Sequence, residues 1–138
     1  MTSRPKEPPK EPPVSDLLVT THSVLRWVVL GVLLLDGAYA LLQAPRPVPY
    51  RRVPFTLGVA IVDLQIALGI GLYVLNAGWQ QGFFIARLHP AVMLVAAVVA
   101  HVGAARARRL GGREAWRTVG VAFLLALVLV TLAIPWQR

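Results

Sequence analysis

Four long apolar segments constrain the fold of this chain more than any other feature of its sequence. They lie at about 17–42, 55–76, 83–105 and 116–135. Each reaches the roughly 20 residues that a helix needs to cross about 30 Å of hydrocarbon. Their side chains do not alternate between apolar and polar, as the strands of a membrane barrel do. The sequence therefore predicts an all-α integral membrane protein, a four-helix up-down bundle in which residues 16–138 form one transmembrane domain.

The composition agrees with a membrane protein and excludes several kinds of site. Hydrophobic residues make up 57% of the chain, and charged residues make up only 14%, against roughly 25% in soluble domains. The absence of cysteine excludes disulfides, iron–sulfur clusters and a cysteine nucleophile. Phosphate-binding loops, metalloprotease signatures and Ser/His/Asp groupings are also absent from the sequence, so chemistry on a soluble substrate is not expected.

The net charge of +8 is explained by the placement of the arginines, so no nucleic-acid partner is expected. Lys and Arg accumulate in cytoplasmic loops. Loops one and three are therefore predicted to face the cytoplasm, with the N- and C-termini outside. Expected partners are the lipid bilayer and other membrane subunits or further copies of the chain. The arginines concerned are Arg46, Arg51 and Arg52, and Arg106, Arg108, Arg109, Arg113 and Arg117.

Residues 1–15 are rich in proline and charge, which is typical of a solvated, disordered tail. The following apolar segment contains a small-x-small pattern at residues 38–40, which resembles the cleavage site of a secretory leader. That segment is long for a leader and carries His22, Arg26 and Asp36. We therefore expect it to remain as the first helix of the mature protein.

Histidine and arginine side chains inside these segments are the candidates for function. A charged residue in hydrocarbon costs about 2.5–3.5 kcal/mol on insertion scales, so it usually has a buried partner or a task. His22 and His89 fall at similar depths on helices one and three, which run parallel in an up-down bundle. Two such histidines can bind the iron of a b-type haem from both faces. Arg26 and Arg87 would bind the haem propionates, because guanidinium pairs with carboxylate through two hydrogen bonds.

The same residues also have plainer interpretations. His22 and His89 can instead bond to backbone carbonyls or to each other. Met93 lies one turn after His89 and offers a His–Met ligand pair, although a methionine at this spacing also fits simple packing.

Four further polar residues form a possible polar network: Asp36, Asp63, Gln65 and His101. The estimated depths of Arg26 and Asp63 predict an ion pair, and a proton relay at Asp63 is the alternative. Asp36 and His101 are expected to pair in the third of the membrane nearer the arginine-rich loops. A second haem or a quinone in contact with His101 is the further alternative.

The fourth helix has few polar side chains in its middle, and we expect it to face lipid. Trp and Tyr concentrate where a membrane meets water. Tyr50 and Trp116 are therefore expected at one interface, and Trp79 and Trp136 at the other.

Several of these motifs resemble one known family. They are His22-Ser23-Val24-Leu25-Arg26-Trp27, Asp63-Leu64-Gln65, Arg87-Leu88-His89-Pro90 and Ala100-His101-Val102-Gly103. Together they resemble small bacterial four-helix membrane proteins with an HSxLRW motif, which are often labelled cytochrome-b-like. The resemblance covers about residues 18–136. Leu88 stands where a common form of the third motif has Glu. The resemblance implies the four-helix fold and b-type haem.

Three functions follow as hypotheses. The leading one is a b-type haem-binding membrane protein that passes electrons within a respiratory or photosynthetic membrane assembly. The second is a cofactor-free structural accessory subunit of a larger membrane complex. The third is a small transporter or proton-coupled channel that uses Asp63 and His101, although the paired broken helices of transporters are missing from the sequence.

Overall fold

The computed structural model describes residues 13–136 and shows an antiparallel four-helix bundle. A π-helical turn, Phe84–Leu88, runs directly into the third helix. No strand occurs among the described residues, so the predicted all-α four-helix bundle is confirmed. All four helices are long and apolar enough to cross a membrane. The helices are α1 Pro13–Gln43, α2 Val53–Leu75, α3 His89–Ala107 and α4 Gly112–Ala133.

Two helices, α1 and α4, begin four residues earlier than predicted. Helix α1 begins at Pro13, so the last three residues of the predicted tail are helical, and residues 1–12 lie outside the described part of the chain. Proline is tolerated in a first helical turn because its missing N–H has no partner there. Helix α4 begins at Gly112, earlier than the predicted Trp116. Gly112 has a left-handed φ of 50°, which favours glycine, and this turn lets α4 start at once.

The helices form a ring in which each packs against two others. Helix α2 lies between α1 and α3, and α4 closes the ring between α3 and α1. The most extensive contact joins α3 to α4, and the least extensive of the four joins α2 to α3. The connections 44–52 and 108–111 lie at one end, here called the arginine end. The opposite end, where α1 begins and α4 ends, is called the histidine end.

Small residues allow the close approach of α3, α4 and α1. A Cβ at Gly103 of α3 would collide with the Cβ of Ala122 on α4, and one at Gly120 would lie 2.8 Å from a methyl of Leu41 on α1. Helices in membranes associate largely through such close packing, because lipid is as apolar as the side chains. The buried alanines of α3 are Ala96, Ala97, Ala100, Ala104 and Ala107.

Aromatic rings fill the core near the arginine end. The ring centroid of Trp116 lies 5.9 Å from that of Phe55 and 5.2 Å from that of Tyr50. The Trp116 indole N–H donates a hydrogen bond to the carbonyl of Val48, at 3.2 Å. Trp116 is only 1% exposed, so its ring faces neither lipid nor water directly. The loop of residues 44–52 accepts the hydrogen bond of the Trp116 indole, which water or lipid headgroups would otherwise accept at a membrane surface.

Tyr50 lies in that loop, outside the membrane-spanning helices. Its hydroxyl is buried and has no hydrogen-bond partner among residues 13–136. Burial raises the pKa of Tyr50, and the nearby charge of Arg108 opposes that rise. Tyr50 therefore packs as a neutral ring beside Phe55 and Trp116.

Helix α4 has the largest buried share of the four spans, so the expectation that it faces lipid is wrong. Its buried residues recur every three or four positions and face α1 and α3. A low content of polar side chains does not distinguish a lipid-facing helix from a central one, because both surroundings are apolar. The informative signal is small residues on one face. The buried residues of α4 are Ala115, Trp116, Val119, Gly120, Phe123, Ala126, Val130 and Ala133.

We predict that Gly103→Ala destabilises the bundle, because the added methyl must push α3 away from α4. Overpacking of this kind costs about 1–3 kcal/mol, measurable as a lower free energy of unfolding in mixed micelles. Gly31→Ala is the matched control, since a Cβ at Gly31 meets nothing within 4 Å. Alanine is favoured over glycine in a helix by roughly 1 kcal/mol, so the control should be neutral or stabilising. Equal effects of the two substitutions would contradict the close α3–α4 packing.

Candidate functional site

His22 of α1 is held against α2 at the histidine end. The amide nitrogen of Gln65 donates a hydrogen bond to the backbone carbonyl of His22, at 3.1 Å. The same nitrogen lies 3.4 Å from Nε2 of the His22 ring, a long contact for a hydrogen bond. A Cβ at Gly69 would lie 3.2 Å from the ring carbon Cε1. The glycine therefore gives the His22 imidazole room to lie close to the backbone of α2.

His89, the first residue of α3, is held by the end of α4. Its Nδ1 lies 2.7 Å from the carbonyl oxygen of Ala133, the last residue of α4. Carbonyls in the last turn of a helix lack intrahelical donors. Because a carbonyl can only accept, Nδ1 carries the proton, and Nε2 of a neutral His89 keeps its lone pair. Histidines that bind metals are commonly oriented in this way, with the second nitrogen donating to a carbonyl.

Pro90 explains why α3 begins at His89. A proline has no N–H to bond the carbonyl four residues earlier, which here belongs to Ala86. The Tyr73 hydroxyl of α2 donates to that carbonyl instead, at 2.9 Å. The chain before Pro90 forms a π-helical turn, a feature that frequently occurs at functional sites. The sequence predicts that Pro90 either opens or kinks the helix, and the structure shows that it opens α3. The sequence analysis did not predict this role of Tyr73. A proline within a helix leaves the carbonyl four residues before it without a donor, and that carbonyl was the available signal.

Several buried polar atoms near His22 have no hydrogen-bond partner among residues 13–136. They are Nδ1 of His22, Nε of Arg26 and Oε1 of Gln65. His22 also lies close enough to His89 and Arg26 to interact with both electrostatically. Buried polar atoms are nearly always hydrogen-bonded, so unpaired ones call for an explanation such as a bound group. The interior of the histidine end is therefore polar, and its hydrogen-bonding capacity is only partly used.

The two arginines assigned to this site differ in their surroundings. Arg26 lies one turn after His22, with its guanidinium carbon 5.3 Å from the centre of the Trp27 ring. Arg87 is exposed on the π-helical turn, two residues before His89. Neither arginine pairs with a carboxylate within the described part of the chain.

The predicted ion pair of Asp63 with Arg26 is not formed. Instead, Oδ1 of Asp63 lies 2.8 Å from Nε2 of His101 on α3. Asp63 and Gln65 are two residues apart, so they point about 200° apart around α2. Gln65 faces His22 on α1, which turns Asp63 away from Arg26. The prediction considered depth along the helices and not rotation about their axes.

The expected pair of Asp36 and His101 is also not formed. A Cβ at Gly58 of α2 would lie 2.8 Å from Oδ2 of Asp36, so Asp36 faces Gly58. Helices α1 and α3 lie diagonally across the ring, and α2 separates the two side chains. The predicted network therefore divides into separate groups: Gln65 with His22, Asp63 with His101, and Asp36 against α2.

The chemistry open to the histidine end follows from its donor set. Among the described residues, no group of three or more His, Cys, Asp or Glu side chains could hold a metal ion. His22 and His89 can supply two imidazole nitrogens, enough for the two positions that a porphyrin leaves open on its iron. Comparisons with protein-family models, with curated proteins and with solved structures find no match to this chain.

We predict that Tyr73→Phe destabilises the protein, because it leaves the Ala86 carbonyl unpaired within the bundle. An unpaired buried acceptor costs about 1–3 kcal/mol in the free energy of unfolding. The loss should shrink in a Pro90→Ala background, where residue 90 supplies the N–H that Ala86 lacks. Tyr39→Phe is the control, since that hydroxyl contacts only Gln43 on the surface. Equal losses with and without Pro90 would contradict the assigned role of Tyr73.

Proposed function

We propose that this chain is a b-type haem-binding membrane protein that passes electrons within a respiratory or photosynthetic membrane assembly. His22 and His89 are the proposed axial ligands of the iron. The observation that carries the proposal is the bond from His89 Nδ1 to the Ala133 carbonyl, because it leaves Nε2 available as a ligand. The unpartnered Nδ1 of His22 supports it from the opposite helix. The resemblance to cytochrome-b-like proteins points the same way.

In this proposal the protein supplies orientation, and a haem held there would supply one-electron chemistry. The Ala133 carbonyl fixes the tautomer of His89 and makes its ring a stronger donor. Gly69 leaves space beside the His22 ring. Arg26 and Arg87 provide the positive charge that two propionates require, and Nε of Arg26 has no other partner within residues 13–136.

We further propose that the arginine end faces the cytoplasm of a bacterium and that the histidine end faces outward. The first connection carries Arg46, Arg51 and Arg52, and further arginines surround the connection 108–111. Positive residues in short loops favour the cytoplasmic side. The proposed haem would then lie nearer the outer surface of the cytoplasmic membrane.

A reduced-minus-oxidised absorption spectrum of the purified protein tests the haem proposal. We expect the α-band of a low-spin b-type haem, and we expect His22→Ala and His89→Ala each to abolish it. His101→Ala is the matched control and should keep the band, because His101 pairs with Asp63 on a different face of the bundle. A wild-type protein without the band, or a His89→Ala variant that retains it, would sink the proposal.

One observation favours the accessory subunit as a second candidate. The bond from Gln65 to the His22 carbonyl joins α1 to α2 and requires no cofactor. In that case the protein should co-purify with larger membrane partners, and Gln65→Ala, which removes this bond, should alter the assembly, while His22→Ala should change no absorption band. Co-purification analysed together with the spectrum therefore distinguishes the two candidates.

A further inference from the structure

The pair of Asp63 and His101 lies on the outer surface of the bundle, where α2 meets α3. Their side chains are 52% and 50% exposed, and Nε2 of His101 lies 2.8 Å from Oδ1 of Asp63. Both residues lie within spans that can cross a membrane. An ionisable side chain facing hydrocarbon is costly and usually marks a function. The pair has no role in the haem site proposed above.

Each member of the pair has one polar atom left over. Nδ1 of His101 and Oδ2 of Asp63 make no hydrogen bond with any residue of the part of the chain that the structure describes. When His101 is neutral, Nε2 donates to the carboxylate and Nδ1 can accept a hydrogen bond. When His101 is protonated, Nδ1 can donate one. The pair can therefore bind either a hydroxyl or a carbonyl.

A groove of about 580 Å³ adjoins the pair. Its volume lies within the roughly 300–1,000 Å³ that is usual for small-molecule sites. Ala67 and Ala97 make it concave, and larger apolar side chains form its walls. The site therefore has one polar end and otherwise apolar walls, and it opens on the surface that would face lipid. The apolar lining residues are Ile66, Ala67, Ile70, Leu94, Ala97, Val98 and Val102.

The length of the groove favours a small molecule over a helix. Its lining runs over residues 63–70 of α2 and 94–102 of α3. At 1.5 Å per residue this is roughly 10–12 Å, less than half of the roughly 30 Å that a spanning helix would have to cover. A second copy of the chain also fits poorly. In a two-fold dimer the same surface of both copies meets at the interface. The two grooves would then face each other, and neither would be filled by a side chain.

We propose that this groove binds the ring of a lipid-soluble quinone or quinol. A quinol hydroxyl donates to Nδ1 of neutral His101 or to Oδ2 of Asp63, and a quinone carbonyl accepts from Nδ1 of protonated His101. The ring lies against Ala67 and Ala97, and the isoprenoid tail leaves the groove into lipid. This binding does not depend on the haem proposed for His22 and His89.

Photolabelling of the full chain in lipid nanodiscs tests this proposal, with an azido-benzoquinone that carries a decyl tail as the probe. Labels should map to residues 63–70 and 94–102, and decyl-benzoquinol should compete for them. We expect His101→Ala and Ala67→Leu each to lower labelling about tenfold, the change that corresponds to about 1.4 kcal/mol of binding. Both side chains are exposed, so helix content measured by circular dichroism should remain unchanged.

Ala60→Leu is the matched control, because Ala60 is exposed on the same helix and does not line the groove. It should label like the wild type. Labels spread evenly over the lipid-facing surface, or labelling that survives both His101→Ala and Ala67→Leu, would overturn the proposal. The His22→Ala variant, which removes a proposed haem ligand, should still be labelled. Failure of the haem site and failure of the quinone site are therefore distinguishable.

A second copy seated on the groove is the competing occupant, and a cysteine probe detects it. The sequence has no cysteine, so a single introduced one reports only on its own position. Val98→Cys in the groove should form no disulfide-linked dimer in native membranes, and it should behave like Val128→Cys, which is exposed on α4. Efficient dimerisation through Val98→Cys alone would overturn the quinone proposal.

Discussion

The scarcity of water in hydrocarbon is the constraint on which this structure depends, because each backbone carbonyl must find a donor within the protein. Two of the carbonyls at the histidine end that lack their usual helical donor show this directly. Pro90 deprives Ala86 of one, and the end of α4 leaves Ala133 without another. The Tyr73 hydroxyl and Nδ1 of His89 fill these two positions. Pro90 thus accounts for the position of the Tyr73 hydroxyl, and the end of α4 accounts for the position of the His89 ring.

The orientation of His89 therefore serves stability and also suits the proposed haem site. A histidine that donates to Ala133 closes the end of α4 whether or not any cofactor is bound. The same bond selects the tautomer whose Nε2 can bind iron. His22 differs, because Gln65 uses its backbone carbonyl while the ring itself remains poorly partnered. The His89 ring therefore has a hydrogen-bond partner within the protein, whereas Nδ1 of the His22 ring has none among the residues that the structure describes. A bound group would explain why this nitrogen is buried without a partner.

Sequence patterns predicted the four spans well and the rotations of side chains about the helix axes poorly. Segment length gave the spans, and a rise of 1.5 Å per residue gave only expected depths along them. That argument carries no information about direction around a helix, so it paired Asp63 with Arg26, whereas the side chain turns to His101. The burial of Trp116 was missed for a related reason. A tryptophan at the end of a span fits an interface equally well until the loop that covers it is known.

Helix α2 contributes one residue to each of the two polar regions, Gln65 beside His22 and Asp63 beside His101. Gln65 and Asp63 lie at nearly the same depth but on opposite faces, so one contributes to the interior of the bundle and the other to its lipid-facing surface. A helix is about 10–12 Å across with its side chains, so the regions are close in space yet share no side chain. The weak packing of α2 on α3 follows from the same arrangement. A polar pair replaces part of the apolar contact there, and the small side chains of Ala67 and Ala97 leave the groove open beside it.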